Sequence, residues 1–494
     1  MPMRRFLLII PALLALIVIA RPSSAAPPAA SVEVTVAVPT SMRSAPFDQA
    51  RKLRVPQGFS IAVFARVPNA RFLATAPNGD LLVSQPGAGN VLLLRPDGDD
   101  TPQQFTFAEG MSKPHDIVFH NFGGKSYVFI AAEDAIYRFD YTAGANQAGT
   151  RTTVVQNLPN GSNGELKGSY GHTLKNIAIG SDNTLYVSIA SATNASPSDL
   201  AATPKRGAVY TYSAIATGQQ GTSGQLFAEG LRNAEGLDMV PGTNELWVVV
   251  NNRDNMKCPY ELTIPGTSIV CGSGEQRTEY VDNHPPEEFT RVRQGGNYGW
   301  PFCNPNPFSA AGLDNMPFDR DYDNNRNGDK LDCGSADRIS KGIQAHSAPL
   351  GLTFTGDTNA PVAYRDGAIV GYHGSWNRSK KTGFKFAYFP WDAARNAPGA
   401  QVDLVTGWLN DATQDAWGRP VDSAVAPDGA IYLSDDAAGA IYKLASNAAN
   451  PTSTPLVPNQ TSVPVASNTP GPSPTPTNTP GPLDRRQYLN IVTR

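Results

Sequence analysis

The chain repeats one local pattern six times between about Leu53 and Leu444, and this repetition constrains its fold more than any other feature. Each copy has a short apolar run, a turn with Gly, Asn or Asp, and an alternating strand, often followed by another turn and strand. The copies begin at Leu73, Asp116, Asn176, Gly236, Gly351 and Ser423. Antiparallel meanders repeated without helical periodicity predict an all-β fold, a six-bladed β-propeller.

Two other segments complete this architecture. The segment 57–67, QGFSIAVFARV, alternates like a strand and is expected to close the ring by pairing with the last blade. Residues 252–347 form a stretch much longer than one blade requires. Long structured insertions in compact domains are often functional. The sequence therefore predicts one propeller domain over residues 53–445 with one long insertion.

Both termini differ in composition from the repeats. Residues 1–26 carry Arg4 and Arg5, an apolar run and then small residues, the order of a secretory signal peptide; an uncleaved membrane anchor is the alternative. The domain is therefore expected to be exported, to the periplasm, the cell surface or the medium. Residues 446–482 are rich in Pro, Thr and Ser and predict a disordered linker. Residues 483–494 are either a surface-retention segment or a frayed tail.

The four cysteines are expected to form disulfides, because export favours oxidation. Their spacing lacks the CxxC pairs of a zinc site. Four cysteines allow three connectivities, and we prefer Cys258–Cys271 with Cys303–Cys333 because these pairs close the shorter loops. Both pairs fall inside the insertion.

The charge balance excludes one class of partner. The chain has 40 Lys plus Arg against 43 Asp plus Glu, for a formal net charge of -3. It therefore lacks the basic footprint of a protein that binds nucleic acid.

Polar residues stand just before each inner strand of the predicted propeller, and these positions meet at one mouth of the central channel. Most of them are cationic or imidazole side chains: Arg71, Lys113, His115, His172, Lys175, Arg232, Asn233, His346, Arg419 and Asp422. Such a mouth suits a small anionic ligand, since Arg donates to carboxylates in pairs and His can move a proton near neutral pH. The alternative is that they are turn residues that bond backbone carbonyls.

One acidic loop partly matches a calcium-binding pattern. Asp323, Asn325, Asn327 and Asp329 stand at positions 1, 3, 5 and 7 of such a loop, but position 12 is Gly334 where a bidentate Glu is usual. No flanking helices are evident, so the loop is not an EF-hand. A structural calcium loop and an ordinary acidic turn both remain open.

The motifs, in their order along the chain, resemble the PQQ-dependent glucose/sorbosone dehydrogenases, whose catalytic module is a six-bladed propeller. The resemblance covers about residues 55–444 and includes YGHTLKNIAIG, EGLRNAEGLDM, GGNYGWPFC, YHGSWNRS and GRPVDSAVAPDG. GSWNRS and GGNYGWP look closest to the sorbosone branch, whereas DNHPPEE is also similar to pyranose-dehydrogenase relatives.

This resemblance implies roles for particular residues. His172 would be the general base that takes the proton of the substrate hydroxyl while hydride passes to PQQ. Arg232 would polarise the quinone carbonyl, so it is both a catalytic and a cofactor-binding candidate. The other cofactor contacts implied are Asn233, Asn377, Arg378 and Arg419. A Ca²⁺ ion that bridges protein and PQQ would take backbone oxygens around Arg253 and Asp254.

Two departures set the chain apart from the glucose-oxidising branch. Gly171 stands where that branch has a carboxylate before the base, and Val421 replaces a second arginine. These changes weigh against glucose and favour another aldose or a sugar aldehyde. No CxxCH haem motif occurs, so electrons are expected to leave to an external acceptor, a quinone or a cytochrome. A metal-dependent lactone hydrolase and a non-catalytic binding propeller at the cell surface are the alternatives.

Overall fold

The six repeats fold into six antiparallel sheets in a computed structural model that describes residues 30–98, 100–161, 171–356 and 358–447. Almost all regular structure is β. The two α-helices of the described residues are single turns, Ser198–Ala201 and Thr278–Val281, and short 3₁₀ turns cover Thr40–Met42, Gly221–Ser223, Cys333–Ser335 and Val362–Tyr364. The all-β prediction is therefore confirmed.

Each of the first three blades is a four-stranded meander whose first strand is the innermost. Blade 1 contains Leu73–Thr75, Leu81–Gln85, Asn90–Asp97 and Asp100–Ala108. Blade 2 contains Ile117–Phe122, Lys125–Ala131, Ile136–Asp140 and Arg151–Gln156, with Gln219–Gln220 added in parallel outside. Blade 3 contains Ile177–Ile179, Thr184–Ile189, Ala208–Ser213 and Gln225–Glu229, with Gly296–Asn297 added in parallel outside.

The last three blades follow the same plan. Blade 4 contains Ala234–Met239, Leu246–Val250, Glu287–Arg291 and Ile339–Ile343, with Asp314–Met316 outside. Blade 5 contains Pro349–Phe354, Gly367–Tyr372, Lys385–Asp392 and Val402–Val405, and Ala397–Pro398 pairs with its third strand. Blade 6 contains Pro420–Val425, Ile431–Asp435 and Ala440–Ser446, with Phe59–Arg66 as its fourth strand.

The ring closes as the sequence predicts. Strand Phe59–Arg66 pairs antiparallel with Ala440–Ser446, so that the first blade-forming strand of the chain completes the last blade. Its inward residues alternate with more exposed ones, as expected at the outer edge of a sheet. Leu81–Gln85 and Gly367–Tyr372 are by contrast buried at every residue, because central strands pack against blades on both faces.

Three aspartates link neighbouring blades around the central channel. Asp116 Oδ2 accepts the backbone N–H of Ile177 at 2.8 Å and so joins blades 2 and 3. Asp238 joins blade 4 to the Phe354 N–H of blade 5 at 2.8 Å, and Asp422 joins blade 6 to the Leu73 N–H of blade 1 at 2.9 Å. All three line a cavity of about 280 Å³, here called the channel cavity. Asp422 was predicted to precede its inner strand at the mouth, but it lies within that strand.

The insertion is part of blade 4 rather than a separate body. Residues 252–347 contain that blade's two outer strands, Glu287–Arg291 and Ile339–Ile343, and the loops around them. Short hairpins pair Leu262–Thr263 with Val270–Cys271 and Cys303–Pro305 with Phe318–Arg320. Disulfides Cys258–Cys271 and Cys303–Cys333 hold these loops, which confirms the predicted connectivity.

The remaining strands lie before blade 1, where Ser31–Thr35 pairs antiparallel with Lys52–Pro56. The predicted signal peptide and the predicted C-terminal segment, with nearly all of the linker, lie outside the described residues. Among the residues that are described, we find no helix with the length and apolar character needed to cross a bilayer.

Candidate functional site

Residues that precede the inner strands meet at one end of the channel, here called the mouth. Arg71 of blade 1 lies 3.5 Å from His115 of blade 2, measured between Nη2 and Nε2. On the opposite side, Arg232 and His346 approach the same carboxylate, that of Asp254. The repeat pattern thus brings together side chains that are far apart in sequence.

His172 is held in one orientation by the strand end beside it. Its Nδ1 donates to the backbone oxygen of Ser191 at 2.7 Å and lies 3.1 Å from the Ser191 hydroxyl. This bond assigns the ring proton to Nδ1 and leaves the lone pair on Nε2. Burial, together with the positive charge of Arg232, lowers the pKa of His172 to about 4. The imidazole is therefore neutral at pH 7, as a general base must be.

Arg232 is buried among backbone oxygens that fix its guanidinium. Its Nε donates to Asn194 O at 3.0 Å, and Nη1 donates to Asn252 O at 2.8 Å. Its own backbone oxygen accepts the Ser191 N–H at 2.7 Å, so the residue that orients His172 is tied to Arg232 as well. Burial lowers the pKa of Arg232, against the opposing charge of Asp254. Ser191 thus bonds both predicted catalytic residues, His172 and Arg232.

Asp254 connects two predicted mouth residues, Arg232 and His346, with the implied cofactor contact Asn377. Its Oδ2 lies 3.5 Å from Arg232 Nη2, and its Oδ1 accepts the Asn377 amide at 2.8 Å. The same Oδ1 lies 3.8 Å from Nδ1 of His346. The calcium role implied for Asp254 concerned its backbone oxygen, and the structure adds these contacts of its carboxylate.

Asn233 is oriented by Glu235, two residues further along the same strand. The Asn233 amide Nδ2 donates to Glu235 Oε1 at 3.0 Å, which turns its oxygen away from the carboxylate. Glu235 Oε2 lies 4.0 Å from His115 Nε2. Burial raises the pKa of Glu235 and lowers that of His115 well below its usual value. Both groups are therefore driven toward their neutral forms.

A second polar group joins blades 1, 5 and 6 across the mouth. Asp436 accepts Arg71 Nη1 at 2.9 Å and His373 Nε2 at 2.9 Å. Burial alone would raise the pKa of Asp436, but its bond to His373 and the charges of His373 and Arg71 lower it to about 2. Arg419 donates from Nε to His373 O at 3.0 Å and from Nη2 to Gly374 O at 2.9 Å. Its Nη1 makes no bond to the described residues.

Arg378 and Arg253 direct their guanidinium groups to the insertion. Arg378 donates to the backbone oxygens of Asp282 and Ala345, the latter at 3.2 Å. Arg253 is paired with Asp321. Contact between Arg378 and a cofactor therefore stays a prediction, whereas the role proposed for Arg253 concerned its backbone oxygen.

The oxygens of the acidic loop are already bonded within the protein. Asp323 Oδ1 accepts Lys257 Nζ at 2.7 Å, and Asn325 Oδ1 accepts the backbone N–H of Lys330 at 3.0 Å. Asp329 lies 3.4 Å from the ammonium of Lys330, and Asn327 is exposed. A calcium ion here would have to displace these partners. Across the described segments, no three His, Cys, Asp or Glu side chains lie together as a metal-binding cluster.

The site residues that sequence reasoning missed share one position in the repeat. They are Ser191, His373 and Asp436, which follow the second strands of blades 3, 5 and 6, as the predicted Asp254 follows the second strand of blade 4. Because neighbouring strands run antiparallel, the end of each second strand returns to the mouth from which the first strand left. The same repeat therefore contained the signal for these residues.

A family model described as TrAA12-like matches residues 53–447, most of the chain. A relative described as a pyrroloquinoline quinone-dependent sugar dehydrogenase from Hypocrea jecorina (strain QM6a) is 24% identical over 396 residues, which cover 75% of this chain and 84% of that protein. An uncharacterized protein of Borreliella burgdorferi is 23% identical over 414 residues, which cover 79% of this chain and 90% of that protein.

Two solved structures share the fold at low identity. The iodide structure of the Trichoderma reesei carbohydrate-active enzyme of family AA12 superposes with a TM-score of 0.62, 21% identity and coverage of 79% of this chain and 97% of the other. The holo form of the pyranose dehydrogenase PQQ domain from Coprinopsis cinerea superposes with a TM-score of 0.64 and 20% identity. The match covers 79% of this chain and 96% of the other. These likenesses concern the propeller as a whole.

Proposed function

Because the chain belongs to the TrAA12-like family, we propose that it is a dehydrogenase that uses PQQ to oxidise a sugar. The substrate class is an aldose or a sugar aldehyde of the sorbosone type, and the electrons pass to an external quinone or cytochrome. The relatives described as a PQQ-dependent sugar dehydrogenase and a pyranose dehydrogenase PQQ domain support this class.

The observation that carries the proposal is that Ser191 bonds both His172 and Arg232, and so holds the two residues at one place in the mouth. A neutral imidazole with its Nδ1 proton already bonded presents Nε2 as a base, and a buried guanidinium lies beside it. In the reaction, His172 Nε2 takes the proton of the substrate hydroxyl, and Arg232 supplies positive charge where negative charge develops. When bound, PQQ supplies the electron-accepting quinone.

The donor set at the mouth fits PQQ, which carries three carboxylates beside its quinone. Arg419 keeps Nη1 for a ligand, and Lys113 keeps a half-exposed ammonium next to Glu133. Asn233 and Asn377 would add amide contacts, and Asn377 Oδ1 is buried with no hydrogen-bond partner among the described residues. Cationic and amide donors of this kind suit a planar polyanion.

We propose that Ca²⁺ accompanies the cofactor near Arg253 and Asp254. The oxygens nearby are the backbone oxygens of these residues, the Asp254 carboxylate and Asn377 Oδ1. The ion would share the Asp254 oxygens with their present donors, Asn194 at the backbone and Asn377 at the carboxylate. Ca²⁺ prefers oxygen ligands of this mixed kind. We propose a second, structural Ca²⁺ ion in the loop of Asp323, Asn325, Asn327 and Asp329. This ion would replace the bonds that Asp323 and Asn325 now accept from Lys257 and Lys330.

Export and surface attachment are also part of the proposal. The order of charged, apolar and small residues over 1–26 supports secretion, and two disulfides suit an oxidising compartment. The Pro-rich linker and the terminal segment 483–494 would hold the enzyme at the cell surface.

The test is dye reduction by purified protein with PQQ and Ca²⁺ over a panel of aldoses and sugar aldehydes. His172→Ala should lower kcat by about 10²- to 10⁴-fold, the usual contribution of a general base. PQQ binding, followed by absorbance, should change little. His120→Ala is the matched control, because His120 bonds Asn183 at the far end of blade 2.

The pH profile tests the same residue independently. His172 must be deprotonated to act, and its pKa is lowered to about 4, so activity should fall as the pH drops through about 4. Above that value this group should impose no further change. Failure of the protein to bind micromolar PQQ, or equal loss of binding and turnover in His172→Ala, would contradict the proposal.

A further inference from the structure

One tryptophan is exposed in the loop next to the proposed active site. Trp376 has 70% of its surface accessible, whereas the other five tryptophans are buried or half-buried. It lies in the loop after the second strand of blade 5, as Asp254 lies in the loop after the second strand of blade 4. Exposing a large apolar ring to water is unfavourable, so such a ring often marks a binding surface.

The residues on either side of Trp376 are held by hydrogen bonds, Asn377 to the site and Ser375 within its own loop. The amide of Asn377 donates to Asp254 Oδ1 at 2.8 Å. On the other side, the Ser375 backbone N–H donates to Thr382 O at 2.9 Å, and the Ser375 hydroxyl accepts the Thr382 N–H at 2.9 Å. Trp376 is therefore presented by an anchored loop beside the mouth.

The surroundings of Trp376 favour a small ligand over a protein partner. Arg378 is half-buried next to it, and Ser379 and Lys380 are exposed and polar. The other exposed large hydrophobic residues of the described chain lie outside this loop: Val32, Ile215, Leu226, Tyr260, Val270, Leu313 and Val362. A single aromatic ring in polar surroundings is much smaller than the apolar patch of a typical protein interface.

We propose that Trp376 is a stacking platform for the pyranose ring of the substrate. A pyranose has an apolar C–H face and a polar rim of hydroxyl groups. The C–H face can stack on the flat, apolar face of an indole ring. The carboxylate of Asp254, with 23% of its side chain exposed, lies where a hydroxyl group can donate to it. This inference rests on the proposed sugar oxidation and makes the cyclic form of the sugar the preferred substrate.

The kinetic test uses Trp376→Ala, Trp376→Phe and the control Ile215→Ala, which removes an exposed apolar side chain near blades 2 and 3. Trp376→Ala should raise KM for an aldopyranose at least tenfold and change kcat less than threefold. For the acyclic substrate glyceraldehyde, KM should change less than twofold. Trp376→Phe should keep KM for the pyranose within threefold, because a smaller aromatic face remains. Ile215→Ala should match the wild type.

An unchanged pyranose KM in Trp376→Ala would overturn the proposal, and a rise confined to KM for the electron acceptor would assign Trp376 to acceptor docking instead. A binding measurement separates this idea from the proposed activity. Sugar should change the tryptophan fluorescence of the full chain, and Trp376→Phe should abolish that change. A fluorescence change that depends on Trp376, without PQQ-dependent turnover, would refute the proposed activity but support sugar stacking on Trp376. Turnover with the same fluorescence change in the wild type and in Trp376→Phe would refute sugar stacking alone.

Discussion

The mouth and the channel cavity are built from the same inner strands, yet they use the repeat in opposite ways. In the channel cavity, Asp116, Asp238 and Asp422 do one job at alternate blades: each accepts a backbone N–H from the next blade. At the mouth, arginines of blades 1, 4 and 6 and histidines of blades 2, 3 and 5 occupy the corresponding positions, but each has different partners. Lys113 and His346 there even adopt left-handed backbone angles, with φ of 43° and 63°. The repeated aspartate contacts thus hold the ring of blades together, whereas the differences between blades at the mouth form the site.

The two regions also treat charge differently. Burial raises the pKa of Asp116 to about 7 and that of Asp422 well above its usual value, so the channel cavity favours neutral carboxyl groups. At the mouth, His373 and Arg71 overcome burial and lower the pKa of Asp436 to about 2. Charge is therefore maintained at Asp436, between Arg71 and His373, and suppressed at Asp116 and Asp422, which join neighbouring blades.

The largest effect that separates the regions is expected from Asp254→Asn. This change removes the charge that faces Arg232 and His346 but keeps an oxygen for Asn377. We expect kcat/KM to fall by roughly 100-fold, the size associated with loss of one preorganised electrostatic group. Dye-reduction kinetics measure the fall, and thermal unfolding should change little.

The control for this variant is Asp403→Asn, which breaks an exposed ion pair with Lys385 at 2.6 Å on blade 5. Its kcat/KM should equal that of the wild type. Should Asp254→Asn unfold at a lower temperature while its activity is preserved, Asp254 would belong to the structural frame, and the distinction between the two regions would fail.

The next largest effect is expected on the stability of the protein, when Asp422 of the channel cavity is replaced. Asp422→Ala leaves the Leu73 N–H without its partner, which should cost about 1–3 kcal/mol of unfolding free energy. The space around this side chain is tight, because a Cβ added at Gly351 would lie 2.0 Å from Asp422 Oδ1. Asp422→Asn has nearly the same size and keeps an oxygen that can accept the Leu73 N–H. We therefore expect Asn to retain most of the stability at pH 7.

Denaturant unfolding measures both variants, and kcat with saturating PQQ shows whether the mouth is affected. Thr106→Ala on the outer strand of blade 1 controls for removal of a polar group away from the channel. Equal stability losses for Ala and Asn would mean that volume, rather than the hydrogen bond to Leu73, matters at this position.

Much of the frame could be predicted from the sequence because its signals are local. Alternating strands, turn residues and the closing segment 57–67 define the ring, and the shorter loops gave the correct disulfides. Among the predicted mouth residues, Arg71 approaches His115, and Arg232 approaches the same carboxylate as His346, since each precedes an inner strand.

The partners of these residues could not be predicted, because they depend on contacts between blades. Nothing local to Asp436 shows that Arg71, 365 positions away, donates to it. Likewise, Asp254 was expected to offer backbone oxygen, and only the folded arrangement shows its carboxylate between Arg232 and Asn377. Side-chain direction at a turn is decided by such long-range contacts rather than by turn propensity.

The smallest effect is expected from Glu235→Gln, which tests whether the strand beneath the mouth orients a cofactor contact. Glu235 Oε1 now accepts the Asn233 amide, and this fixes which end of that amide faces outward. Gln can present either an oxygen or an NH₂ group to Asn233, so the orientation is no longer unique. We expect the Kd for PQQ, measured by absorbance titration, to rise about threefold, or roughly 0.7 kcal/mol.

Glu245→Gln is the matched control, because Glu245 pairs with Arg291 at 2.7 Å and stands between the first two strands of blade 4, at the edge opposite the mouth. It should leave the Kd for PQQ unchanged. Since burial already raises the pKa of Glu235, loss of its charge alone should have little consequence, and Glu235→Ala should weaken binding more than Gln does. If Gln and Ala were equally harmful, charge would matter more than orientation, and Glu235 would resemble Asp254 rather than the aspartates of the channel cavity.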